Sequence, residues 1–176
     1  MSPESAAAPR DRDAAGRARN ARPRDALGRP LPRGAAGDER IPDDLVLPPA
    51  QALGLAQQLL DEGRPFHAHE VLEASWKTAP PAERDLWQGL AQIAVGLTHA
   101  HRGNARGAVT LLRRGTKRVR SYQAQAAPPA DRDHPYGIDI VAFLAVSEDL
   151  AARIEQHGLA GVTPADLCPA LTAAET

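Results

Sequence analysis

The chain has 176 residues and a formal net charge of −1; 43% of its residues are hydrophobic and only 3% aromatic. Near neutrality excludes a global electrostatic pull toward nucleic acid or anionic lipid, and a single cysteine, Cys168, excludes an internal disulfide or a thiolate metal cluster. No run approaches the ~18 apolar residues of a membrane span, and the N-terminus "MSPESAAAPRDRDAAG" lacks the apolar stretch of a secretory signal, so a cytoplasmic location is expected.

Residues 1–44 read as a disordered tail rich in Arg, Pro and Ala. Leu27 and Leu31 are its only large aliphatics before residue 40, too few to offset the entropy of ordering the chain. "IPDDLVLPP" (41–49) leads into a helical domain over 45–157. Its first helix is predicted at about 49–62, with Leu53, Ala56, Leu59 and Leu60 at helical spacing and Gly63 as its stop. A second, about 65–78, opens on Pro65 in the first turn and ends before Pro80–Pro81. A third, about 82–102, is apolar over most of its surface and ends at Gly103; a fourth spans about 105–122. The Pro-rich stretch "APPADRDHPYG" (127–137) precedes the fifth, about 139–156, with Asp139 as its cap. Residues 158–176 read as a loose C-terminal segment.

A repeat lies within this pattern. "LLDEGRPFHAHEVL" (59–72) and "HAHRGNARGAVTLL" (99–112) align without gaps at an offset of 40, bringing Gly63 onto Gly103 and Ala68 onto Ala108. A helix ending in Gly, followed by one with a small residue one turn in, is how tetratricopeptide hairpins pack. Two such hairpins fall short of the three repeats a solenoid needs. The expected fold is therefore all-α, a compact bundle of about five helices with tetratricopeptide-like hairpins.

"FHAHEVLEASW" (66–76) concentrates the chemistry. On a helix Phe66, His69, Leu72, Glu73 and Trp76 share one side, while His67, Glu70 and Lys77 point away from it, toward solvent. On the third helix Asp85, Gln88, Gln92 and His99 fall in one narrow sector beside Gly89 and Gly96. A mid-helix glycine costs about 1 kcal/mol relative to alanine, so this pair signals a close backbone approach, which we assign to the second helix. The resulting cluster of His69, Glu73, Trp76, Gln88, Gln92 and His99 has two readings. One is a hydrogen-bonded seam that fixes helix register, with Glu73 also pairing Lys77; base rates favour it. The other is a divalent-metal site of HExxE type, with His69, Glu73 and His99 as ligands and Glu70 or Glu73 as the catalytic base.

These motifs, followed by "LWQGLAQIAVGLTHAHRGNARGAVTLLRRG" and "PYGIDI", resemble the domain of unknown function 309 family of small all-helical bacterial and archaeal proteins. The resemblance covers about residues 45–155, and "RPRDALGRPLP" (22–32) is similar to the tails of actinobacterial members. Thr98 stands where some members carry a histidine. The resemblance implies a helical fold and a shared polar cluster, and no reaction.

"LLRRGTKRVR" (111–120) concentrates Arg113, Arg114, Lys117, Arg118 and Arg120 as a basic face on the fourth helix. A solvated face near the helix C-terminus is its bland reading; binding of phosphate or of a partner's acidic surface is its functional one. Without interleaved aromatics it carries no strong nucleic-acid signal. The expectation is a non-enzymatic interaction module with a protein partner, no membrane association, no firm cofactor and an open oligomeric state. The competing expectation is a metal-dependent, hydrolase-like enzyme built on the HExxE-type site.

Overall fold

The structure, a computed structural model, describes residues 22–38, 40–42, 44–125 and 133–171. Five α-helices account for the domain: α1 (Pro49–Asp61), α2 (Pro65–Thr78), α3 (Arg84–His101), α4 (Ala105–Gln123) and α5 (Ile140–His157). Each packs against its neighbour in the chain, giving a compact bundle. No strand occurs among the described residues. Among them, too, no helix is long and apolar enough to cross a membrane.

The helix ends follow from the local chemistry that the sequence displays. Gly63 and Gly103, equivalent in the repeat, both adopt the left-handed conformation, at φ 70° and 79°. At each, the next two N–H groups fold back onto the last turn: Gly63 to the Leu60 carbonyl and Arg64 to that of Leu59, Gly103 to that of Ala100 and Asn104 to that of His99. This satisfies carbonyls that the helix itself leaves unpaired. Asn104 then caps α4 by accepting from the Gly107 N–H at 2.9 Å, and Asp139 caps α5 by accepting from that of Ala142 at 2.9 Å.

The core is aliphatic, as the composition requires: Leu53, Leu60, Leu72, Leu86, Leu90, Ile93, Leu97, Leu112, Ile138 and Ile140 are all at most 2% exposed, with Trp87 the one large aromatic anchor on α3. Glu83 holds that anchor in place. Its carboxylate accepts from the Trp87 indole N–H at 3.2 Å and from the Tyr136 hydroxyl at 2.7 Å, and the two rings lie 5.9 Å apart. Tyr136 sits at φ 57° in the turn before α5, and burial together with the Glu83 hydrogen bond raises its pKa to about 12.

The closest helix–helix approach is between α3 and α4. A side chain added at Gly89 would meet Val119 and the Gly115 carbonyl, one at Gly96 would meet Leu112, and one at Gly115 would meet Ile93 and the Gly89 carbonyl. Gly89 and Gly96 were expected to admit α2. They admit α4, because a third glycine, Gly115, stands opposite and lets two backbones meet where neither carries a Cβ.

Two segments assigned to tails from composition make contacts with the helices over their described residues. Residues 22–38 form an ordered loop against α2 and α3, closed by an isolated antiparallel bridge between Arg24 and Pro30 and by the Asp38 N–H bonded to the Arg24 carbonyl. It is held by backbone carbonyls, a glycine and ion pairs, none of which hydrophobic content measures. Residues 1–21 lie outside the described residues. After α5, residues 158–171 return to α1: Leu167 and Leu171 are buried, the Leu171 N–H reaches the Gln57 side-chain oxygen at 2.6 Å, and the Cys168 thiol donates to the Leu60 carbonyl.

Candidate functional site

Helical spacing brings part of the predicted cluster together. His69 Nε2 lies 3.2 Å from Glu73 Oε2, and Lys77 Nζ lies 2.9 Å from Glu73 Oε1, so one carboxylate is shared along successive turns of α2. His69 is 21% exposed and Glu73 33%. Burial holds the His69 pKa below its usual value, although Glu73 opposes that shift. Phe66 packs on His69 with ring centroids 5.7 Å apart, and Trp76 lies half-buried against the core. Glu70 is half-buried on the same helix.

The α3 half of the cluster does not join them. Among the described residues no hydrogen bond links His69 or Glu73 to Gln88, Gln92 or His99. Asp85 instead accepts from Arg118 of α4 at 2.7 Å, and His99 Nδ1 pairs with the side-chain amide of Asn104 at 2.9 Å, at the start of α4. The cause is the α3–α4 glycine contact, which turns the two ends of the polar sector toward α4. Gln92 keeps a buried amide oxygen without a hydrogen-bond partner among the described residues.

The expected metal set His69, Glu73 and His99 is thereby separated. Among the described residues no three His, Cys, Asp or Glu side chains form a group that could hold a metal ion. His99, the third residue of the HExxE-type arrangement, pairs instead with Asn104 at the α3–α4 turn.

His67 corrects a second expectation. It is 2% exposed rather than solvent-facing, because the 22–38 loop covers it. Its Nδ1 lies 3.7 Å from Asp38 Oδ2. Burial lowers its pKa and the adjacent Arg64 lowers it further, while Asp38 and the Ala26 carbonyl pull the other way. His101 is shifted in the same direction by burial. All three histidines thus prefer the neutral form in the folded state. The unfolded chain takes up protons below the ordinary histidine pKa of about 6.5, so their contribution is complete above that pH and declines as pH falls through it. Thermal melts should show a lower melting temperature at about pH 5 than at pH 8, with the slope reduced in His67→Gln; a flat profile over this range would contradict the burial of these rings.

The basic face of α4 opens onto α5. Arg113 pairs with Glu155 and Arg120 with Glu148, the latter through two hydrogen bonds of 2.7–2.8 Å. Arg118 points the other way, to Asp85 on α3. Arg114 and Lys117 are exposed and make no ion pair among the described residues. Between α4 and α5 run two adjoining hollows: one of about 390 Å³ lined by Ala105, Arg106, Val109, Thr110, Arg113, Ile154 and Glu155, the other of about 350 Å³ lined by Arg113, Thr116, Lys117, Arg120 and Glu148. Arg120 belonged to the predicted basic stretch, whereas Arg106 was absent from it. The signal for Arg106 was present in the sequence, since 106, 113, 117 and 120 recur at helical spacing.

Residues 53–111 match the family model described as Domain of unknown function (DUF309). The uncharacterized protein YpuF of Bacillus subtilis (strain 168) is 34% identical over 91 residues, 51% of this chain and 48% of that protein. The chain therefore spans about half the length of the curated relative it matches. No solved structure gives a significant match.

Proposed function

We propose, starting from the match of residues 53–111 to the domain of unknown function 309 family model, that the protein is a non-enzymatic, cytoplasmic interaction module that grips an acidic segment of a partner protein between α4 and α5. In this reading its helical hairpins serve as tetratricopeptide-like scaffolding. The observation that supports it is the pair of hollows sharing Arg113 along α4. They offer four basic side chains, Arg106, Arg113, Lys117 and Arg120, beside the apolar Val109 and Ile154. Two of those cations are already balanced by Glu155 and Glu148, so an incoming carboxylate would exchange with exposed ion pairs that contribute little by themselves, about 0–1 kcal/mol each. Attraction then comes mainly from Arg106 and Lys117, and selectivity from the short apolar floor.

The test is site-specific photocrosslinking in living cells, with a photoreactive residue at Thr110 and a second, as control, at Gln51 on α1. A discrete adduct is expected from Thr110 and not from Gln51, with a yield reduced about ten-fold, equivalent to about 1.4 kcal/mol, by the double change Arg106→Glu and Lys117→Glu. Identical adducts from both positions, or a Thr110 adduct indifferent to the charge reversal, would defeat the proposal.

A further inference from the structure

The 22–38 loop has the properties of a ligand that happens to be tethered. It holds its own shape: Asp25 Oδ1 accepts from the N–H groups of Leu27 and Arg29 at 3.0 and 2.7 Å, the Gly28 N–H bonds to the Asp25 carbonyl at 2.8 Å, the Leu31 N–H bonds to the Pro23 carbonyl at 2.8 Å, and the Arg24 guanidinium donates to the Gly28 carbonyl. A turn pre-shaped in this way loses little entropy on docking. Its grip on the domain, by contrast, is narrow. Gly28, at φ 72°, lies on the Phe66 ring so closely that a Cβ there would land on the ring carbons. Two guanidinium nitrogens of Arg102, 75 residues away, converge on the Leu27 carbonyl, and Arg24 and Arg102 sit 5.5 and 5.8 Å from the Phe66 centroid. Asp38 pairs with Arg64 at 3.0 Å. Of the described loop residues only Gly28 is buried, so no side chain of the loop is sunk in the core, and segments held this way open locally at low cost.

We infer that Arg64, Phe66, His67 and Arg102 form a peptide-docking surface for a turn of Asp-x-x-Gly-Arg-Pro pattern with a trailing carboxylate, and that residues 22–38 are its exchangeable occupant, displaced by the same kind of turn on a partner chain. None of these four residues lines the α4–α5 hollows, and the inference does not rest on them. Its recognition chemistry is a ring for a bare glycine, a bidentate donor for one backbone carbonyl, and Arg64 for a carboxylate.

The experiment uses the full chain and a fluorescein-labelled peptide with the sequence of residues 22–38, followed by fluorescence anisotropy. In the wild type the tethered loop competes at a high effective concentration, so the peptide should bind poorly. Gly28→Val in the protein should free the surface and tighten peptide binding at least ten-fold. Adding Arg102→Ala should reverse that gain, and a peptide carrying Gly28→Val should not bind. Asp25→Ala, which loosens the turn from a half-buried position, serves as a second way of releasing the loop and should act in the same direction. Far-UV circular dichroism checks that the helices persist. Equal binding to wild type and both loop variants, or binding to none of them, overturns the inference.

Discussion

Gly115→Val is expected to destabilise the protein by about 3 kcal/mol or more and to lower its melting temperature by about 10 °C. A Cβ at this position would come within 2.6 Å of Ile93 Cγ1, 2.7 Å of the Gly89 carbonyl oxygen and 2.9 Å of the Ile93 nitrogen. Two of those atoms belong to the backbone of α3, so no rotamer change relieves the contact and the helices must move apart. Removing a glycine from a helix interior is worth up to about 1 kcal/mol in propensity, less than the usual overpacking cost, and valine brings two further methyl groups. Gly54→Ala supplies the contrast. Gly54 lies exposed on α1 with nothing within 4 Å of its added Cβ, so there the propensity gain should appear alone, as stabilisation. Urea unfolding of the two variants measures both signs; an unchanged midpoint for Gly115→Val would refute the close α3–α4 packing.

Trp87→Ala should cost about 3–5 kcal/mol. The indole is 2% exposed in the first turn of α3, and its loss leaves a cavity that the surrounding aliphatics can only partly fill. It also strips Glu83 of one of its two hydrogen bonds and leaves the Tyr136 ring without its partner. Trp87→Phe retains most of the packing and loses the N–H, so it should cost nearer 1 kcal/mol. Trp76, the only other tryptophan, reports unfolding by fluorescence in both variants. Equal losses for alanine and phenylalanine would assign the effect to the hydrogen bond rather than the volume.

The five helices were legible because their punctuation is local. Gly63 and Gly103 stop helices by their own conformation, Pro65 starts one, Asp139 caps another, and all act within a few residues of themselves. The link from His69 through Glu73 to Lys77 was legible for the same reason, since helical spacing alone fixes it. The faces that meet between helices were less so. Gly89 and Gly96 announce that a backbone comes near, yet nothing in their spacing says which, and the deciding residue, Gly115, lay inside "LLRRGTKRVR", where charge drew attention instead. With α4 rather than α2 in that place, His99 and Asp85 turn toward it and the predicted six-residue cluster divides. The docked loop escaped for another reason. Composition measures side-chain hydrophobicity, whereas Gly28, the Leu27 carbonyl and Asp38 hold the loop through contacts that hydrophobicity does not register. His67 followed, because its burial depends on that loop.

The serial packing of α1 on α2, α2 on α3, α3 on α4 and α4 on α5 has a consequence for the order in which the fold can assemble during synthesis. Each helix after the first described one packs against the helix made just before it, and the connections from α1 through α4 are short, so these hairpins can close as they leave the ribosome with little entropy of closure. Residues 168–171 bridge the longest separations described above. The Leu171 N–H meets Gln57 and the Cys168 thiol meets the Leu60 carbonyl, across 114 and 108 residues. These contacts cannot form until residues 168–171 have been made, after all five helices. Until then α1 waits for these two partners while the helices made after it are already packed in series.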